Sequence, residues 1–304
     1  MTAPDDLPRS PTGRVPQWVL DEAFGSPAPP VQWRESDAVI LEAPRRRNRV
    51  TTVITVLVLV LVLALTMSWR SVKNMSAPGW PPAGQGEQRA PLGEPATVVW
   101  PSTSYAFRNV QTAAGVPAGP VTWSPCRPIH YVVNPASGPG RFVADVASVV
   151  EELSTITGLR FVYDGLSDEP AADQREVYQR DRYGNRWAPV LVQFASQADV
   201  SELAGEVAGL GGSTAVADPK TGALTYVSGY VQIDADILTF PDIGGGPAYV
   251  AILRHELGHV LGLDHVDDYR QIMNPRASQW IPDYKAGDIS GLAELGKGAC
   301  APGV

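Results

Sequence analysis

Residues 255–265 read His255-Glu256-Leu257-Gly258-His259-Val260-Leu261-Gly262-Leu263-Asp264-His265, and the rest of the chain is best read outward from them. Helical conformation over 248–261 puts His255 and His259 one turn apart, so that both rings face one metal ion. A third ligand continuing along a straight helix would rotate away. Gly262 stands where the chain must turn back; glycine takes positive φ without strain, and His265 then closes a three-histidine set that suits zinc. Glu256, beside the first ligand, is placed to take a proton from water activated there. The chain has four histidines, and three fall in this window at the H-E-x-x-H-x-x-G-x-x-H spacing. That spacing favours a zinc site over the bland alternative of helix histidines satisfied in a core.

The window resembles the zinc signature of the metzincin clan, and within that clan the matrixin-like peptidases. Gln271-Ile272-Met273-Asn274-Pro275 is similar to the matrixin Met-turn, with seven residues between His265 and Met273. Met273 is then expected beneath the ligands as packing, a role that also fits an ordinary core methionine. The resemblance implies an α/β fold of the α+β metzincin kind: a twisted mixed sheet packed by a first long helix and an active-site helix, with a C-terminal helix. It implies hydrolysis of internal peptide bonds with one catalytic Zn2+ held by His255, His259 and His265, Glu256 as general base, and Gly262 and Met273 in structural roles. It further implies that the edge strand Ser213, Thr214, Ala215, Val216 and Ala217 lines the cleft and pairs with extended substrate. Locally, the same residues read equally as a sheet edge joined to its neighbour.

Departures from the family pattern narrow the metal count. Within Val231–Asp236, Gln232 stands where animal matrixins have a histidine of their structural zinc site, and His130 is the one histidine outside the motif, so that second site cannot be assembled. His130 lies in an alternating strand pattern and reads as a strand residue rather than a fourth ligand. Calcium is possible at Asp234 and Asp236, although Ile237 occupies the place of a needed second acid. Pro275 stands where the astacin and serralysin groups carry a tyrosine, and Tyr269 and Tyr284 read as packing or surface residues. The matrixin cysteine switch is absent as a motif. Cys126 and Cys300 are the only cysteines and both follow the apolar run described below, so export permits a disulfide between them. Free thiols, a link between two chains, and Cys126 as a zinc inhibitor are the alternatives.

Length and composition set the frame. The 304 residues, 44% of them apolar, allow one substantial domain with appendages or two small ones. A formal charge of -8 gives no electrostatic ground for nucleic-acid binding. Proline-rich, acidic residues 1–49 are expected to form a disordered cytoplasmic tail. Residues 50–69 form an apolar run of 20 residues, about 30 Å as a helix, and are expected to span a membrane. Arg45, Arg46, Arg47 and Arg49 precede the run, which keeps the N terminus inside and the C-terminal portion outside. A cleaved signal peptide ending near Val62-Leu63-Ala64, giving a secreted form, is the competing reading. Residues 70–103 are Pro/Gly-rich and suit a linker, and 104–304 form the expected peptidase domain.

Within that domain the pattern predicts strands at Tyr105–Phe107, Trp123–Asn134, Leu159–Tyr163 and Val190–Phe194, and a helix over Phe142–Thr155 stopped at Thr157-Gly158. A hairpin joins Gly211–Ala217 to Thr225–Ile233 through Asp218–Gly222. A last helix ends near Leu295-Gly296. The partners implied are a peptide or protein substrate and, through 50–69, a membrane; oligomeric state is not legible. The alternative function is an extracellular binding or scaffold protein that keeps a peptidase-like fold without turnover. Protease shaving of intact cells should remove the 104–304 domain and spare the first 40 residues; mature protein released with a new N terminus near Met67 would instead establish the secreted form.

Overall fold

The computed structural model describes residues 40–41, 80–276 and 281–304. The expected tail, except 40–41, and the expected membrane span lie outside the described residues. Among the described residues no helix is long and apolar enough to cross a membrane.

The chain forms, in order, β1 (Ile40–Leu41), β2 (Ala106–Phe107), β3 (Thr122–Trp123), β4 (Ile129–Asn134), α1 (Phe142–Thr157), β5 (Phe161–Leu166), the short α2 (Arg180–Tyr183), β6 (Val190–Ala195), β7 (Gly209–Ala217), β8 (Leu224–Asp234), α3 (Ala248–Leu261), β9 (Leu263–Asp264) and α4 (Ala286–Leu295). The main sheet runs β1-β7-β8-β6-β4-β5, with β3 on β8. Strands β4, β5, β6 and β8 are parallel, and β7 is antiparallel to β8. This is the mixed sheet packed by a long first helix, an active-site helix and a closing helix that the sequence led us to expect.

Each element follows from its pattern. In α1 the buried set Phe142, Val146, Val149, Val150, Leu153 and Ile156 forms one stripe, and Gly158 ends the helix in the left-handed region, its N–H donating to the Ser154 carbonyl at 2.9 Å. Strands β6 and β8 sit in the middle of the sheet and are almost wholly buried, as parallel strands covered on both faces must be. The expected strand Trp123–Asn134 is two strands, because Pro125 and Pro128 offer no N–H to a ladder. Leu159–Tyr163 is shifted to Phe161–Leu166.

The linker expectation needs correcting over 80–103. This stretch does not stand off the domain but lies along it as a strap. Gly84 N–H donates to Val304 O at 2.9 Å, Gln88 to Cys126 O at 2.6 Å, Leu92 to Pro125 O at 2.9 Å and Ala96 to Ile156 O at 3.0 Å. The segment turns at 82–87 before running on along the domain, and the carbonyls at the ends of α1 and β3 have no ladder of their own to join. Trp80 packs edge-on against Trp187 at 4.9 Å. Beneath the strap Cys126 and Cys300 are joined in a disulfide that closes 174 residues, with Cα atoms 5.2 Å apart. On the loop-entropy account such a closure stabilises by about 5 kcal/mol.

The polar loop 167–188 is fastened by an ion pair and side-chain hydrogen bonds. Gln232, at the position where the family resemblance puts a zinc histidine, donates its amide to Ala172 O at 3.0 Å. Arg175 and Glu169 form a bidentate pair at 2.8 and 2.9 Å, with side chains 6% and 7% exposed. Gln179 and Tyr183 also donate to Glu169, and Arg175 reaches Ser228 Oγ and Gly229 O on β8, both at 3.1 Å. Burial alone would raise the Glu169 pKa, but the hydrogen bonds and charge of Arg175 outweigh it and hold the carboxyl below its ordinary value. Arg175→Met, which leaves that buried carboxylate without its countercharge, should cost about 3–5 kcal/mol in urea denaturation, and the double change Arg175→Met, Glu169→Met should recover much of it. Because the folded pKa is the lower one, this contribution is complete above the unfolded value of roughly 4.3 and fades as pH falls through the folded value. Acid titration followed by proteolysis of the loop reads it directly.

Candidate metal centre

The site is assembled by α3 and the turn that follows it. Within α3, His255 and His259 are buried on the same face. Gly262 leaves the helix at φ 118°, its N–H shared between Gly258 O at 3.1 Å and His259 O at 3.0 Å, and β9 then carries the chain back to His265. A side chain at 262 would be strained at that φ and pressed on Leu295, Tyr226 and Val121. The return is braced by a contact not read from sequence: Ala106 and Phe107 pair antiparallel with Asp264 and Leu263.

The three Nε2 atoms converge, with His265 Nε2 3.1 Å from the Nε2 of both His255 and His259. Ring orientation is fixed from behind. Nδ1 of His255 lies 2.7 Å from Ile272 O and Nδ1 of His259 lies 2.8 Å from Leu263 O, so each donates there and turns an Nε2 lone pair inward. Burial holds His255 and His259 well below the ordinary histidine range and His265 at about 4, so all three are neutral donors at neutral pH. Nitrogen ligands at about 2.0–2.1 Å in a tetrahedral zinc site stand about 3.3 Å apart, close to the observed spacing. The residues present fit one zinc ion, and the three histidines are the group able to hold it.

Around this set the sequence-derived residues fall as follows. Glu256 is 1% exposed, and its Oε1 has no hydrogen-bond partner. Burial raises its pKa to about 8, against a smaller lowering by the Arg108 charge. Met273 is 1% exposed and packs on α3 at Gly258, where an added Cβ would lie 2.6 Å from its sulfur. Its turn is held by Asp288 of α4, whose carboxylate accepts from the N–H groups of Ile272 at 3.0 Å, Met273 at 3.3 Å and Lys285 at 2.8 Å. That fixes the Ile272 carbonyl on which His255 depends. Ser213 to Ala217 lie on β7, and outside it, among the described residues, the two-residue β1 pairs, Ile40 with Ala215 and Leu41 with Val216, in parallel. The Ser213 hydroxyl faces inward and donates to Val260 O at 2.6 Å.

Other candidates are elsewhere. His130 binds Asp164 on β5 at 2.9 Å. Tyr284 donates to Arg254 O at 2.5 Å, and Tyr269 is exposed. Asp234 accepts from Asp236 N–H at 3.0 Å as the cap of the 3-10 turn Ala235–Thr239, and no calcium cluster forms there among the described residues. Glu87 lies close to Cys126 and Cys300, but those sulfurs are spent on each other. The residues that sequence reading missed are Asp288, Arg108 and the glycines of β7. Gly209 and Gly211 let β7 lie on Glu256; a Cβ at 211 would stand 2.5 Å from Glu256 O and 2.8 Å from its Oε2.

A family model described as Matrixin, of the M10 peptidases, matches residues 185–295. No curated protein matches. Among solved structures, the chain is similar to high choriolytic enzyme 1, a hatching enzyme zinc-protease from Oryzias latipes (Medaka fish), at 18% identity and a TM-score of 0.21. That match covers 45% of this chain and 44% of the other, less than half of either. The matched segment contains α3, β9, the Met273 turn and all three histidines of the triad. Gly211→Ala should lower stability by about 1–3 kcal/mol through overpacking against Glu256. Metal analysis should find its zinc content near wild type, since no ligand is touched; loss of zinc at full stability would contradict this account.

Proposed function

We propose that the protein is a membrane-anchored extracellular zinc endopeptidase in which Glu256 is the general base. The observation that carries this reading is a buried carboxylate oxygen without a protein partner beside three converging imidazole nitrogens. A buried, unpartnered carboxylate is costly in a merely structural site and is useful where a proton must be taken. When held by His255, His259 and His265, zinc would supply Lewis acidity toward a peptide carbonyl and would lower the pKa of water enough for it to lose a proton near neutral pH. Glu256 takes the proton of the attacking water and hands it to the departing amide nitrogen, so one group serves as base and then acid. The outer edge of β7 binds the peptide as an added strand, which positions the bond against the carboxylate. The pairing of Ile40–Leu41 with that edge supports its capacity to accept a strand.

The same pairing favours a second arrangement, since a tail held across a bilayer could not make it. There residues 40–41 lie on the domain's side and cover part of the β7 edge, and substrate must displace them. The anchored arrangement rests on the arginine block and the apolar run at 50–69.

The test uses the full chain in detergent with a diverse peptide pool. Wild type loaded with zinc should cleave internal bonds, and Glu256→Gln should keep its zinc while losing roughly 10²-fold or more of turnover. His259→Ala should lose metal as well as activity. A wild type that holds zinc and binds peptides without cutting them would favour the binding or scaffold alternative, and equal cleavage by Glu256→Gln would remove Glu256 from the mechanism.

A further inference from the structure

The helix that closes the domain is capped by a side chain from another segment. The residue before α4 is Lys285, whose side chain carries donors only and cannot accept from the free N–H groups of the first turn. The acceptor comes from Gln271, in the turn that carries Met273. Its Oε1 accepts from the N–H of Gly287 at 2.8 Å and of Asp288 at 3.2 Å. The other end of the same amide donates through Nε2 to Asp268 Oδ2 at 3.2 Å. Asp268 lies on the loop that follows His265 and also accepts from Ser104 Oγ at 2.8 Å. Gln271 is buried, and Gly287 leaves it room, since a Cβ there would stand 2.7 Å from Oε1.

The exchange runs both ways. Asp288, whose N–H is held by Gln271, returns its carboxylate to the N–H groups of Ile272 and Met273, the two residues directly after Gln271. The backbone of each segment is thus held by a side chain of the other, and the Ile272 carbonyl, 2.7 Å from His255 Nδ1, sits inside the clasp. An amide suits both ends of Gln271, because α4 requires an acceptor and Asp268 requires a donor. Capping alone has no need of this arrangement: a Ser, Thr, Asp or Asn at position 285 would satisfy the helix locally. We propose that Gln271 is a positioning residue for His255, which holds the Ile272 carbonyl in the direction that fixes the ring and so sets the affinity of the triad for zinc. This rests on the zinc part of the reading above and not on peptide cleavage. His259 leans on a different carbonyl, that of Leu263, braced by β2, so loss of Gln271 weakens the site without abolishing it.

The experiment uses the full chain in detergent as wild type, Gln271→Met, Gln271→Glu and Arg175→Met. Methionine keeps the length of glutamine and removes both bonds; glutamate keeps the acceptor for α4 and loses the donor to Asp268. Arg175→Met disturbs loop 167–188 and touches no ligand, so it controls for lost stability. Zinc dissociation constants are read by chelator competition on chains shown by circular dichroism to be folded. Ile272-Met273 is the only Ile-Met pair in the sequence, so carbonyl-labelled isoleucine with nitrogen-labelled methionine reports the Ile272 carbonyl alone by nuclear magnetic resonance. Gln271→Met should weaken zinc binding about 10–100-fold, the usual effect of removing a group that orients a ligand, and should shift the Ile272 resonance. Gln271→Glu should fall between Gln271→Met and wild type in both readouts, and Arg175→Met should match wild type in both despite its lower stability. Unchanged zinc affinity in folded Gln271→Met, an unmoved Ile272 resonance, or an equal change in Arg175→Met would overturn the inference. If Gln271→Met does not fold, the comparison passes to Gln271→Glu, which must still weaken zinc and move Ile272 relative to Arg175→Met. A wild type that takes up no zinc overturns this inference together with the hydrolase reading, whereas one that holds zinc and cuts no peptide overturns the hydrolase reading alone.

Discussion

Three imidazole lone pairs directed at one point, in a place water barely reaches, are an arrangement that the chain must enforce. Neutral nitrogens at that spacing gain nothing from one another, and burial removes the protons that would otherwise separate them. The enforcement comes from the far side of each ring. The carbonyls of Ile272 and Leu263 fix the tautomers, Asp288 fixes the peptide that carries the first of these, and β2 pairing with β9 holds the strand that carries the second. Helix, Met-turn, closing helix and the short strand before the core all converge on ring orientation. A cation with nitrogen preference is what makes this cost worthwhile.

How much of this could be read from the sequence depends on how local each constraint is. His255, His259, Gly262 and His265 lie within one helix and its exit, where periodicity and the φ requirement of a single glycine fix geometry. The parallel strands were legible for the same reason, being apolar runs between turn residues. Pairing of Ala106–Phe107 with β9 was not, since two residues carry no register and the partner lies some 157 positions on. Gly209 and Gly211 read as part of a glycine-rich strand; that they make room for Glu256 is a fact of tertiary contact. Arg108 reads as an ordinary strand-end arginine until β2 is placed beside the ligand turn. The proline-rich composition of 80–103 suggested a free spacer because composition describes stiffness and not the carbonyls waiting at the ends of α1 and β3.

Loop 167–188 shows a different economy from that of the metal centre. A buried ion pair with two further donors fastens it to β8, and Gln232 contributes an amide where a metal ligand is implied by the resemblance. Such a knot is short-ranged and directional, and it needs no ion from solution.

The strap has a mechanical side. It is held to the domain by backbone hydrogen bonds spaced about four residues apart at Gly84, Gln88, Leu92 and Ala96, by Glu87, which accepts from Ser124 Oγ and Ala301 N–H, and by Trp80 on Trp187, while the ends beneath it are covalently clipped by Cys126–Cys300. Pulled from its N-terminal end, the segment would part contact by contact, Trp80 first and the Glu87 cluster next, before the bonds nearer α1. Fully drawn out, residues 80–103 span about 80 Å. A domain tethered through this segment carries a spare length of line folded against its own flank, so its working distance from the point of attachment is set by tension rather than by a fixed spacer.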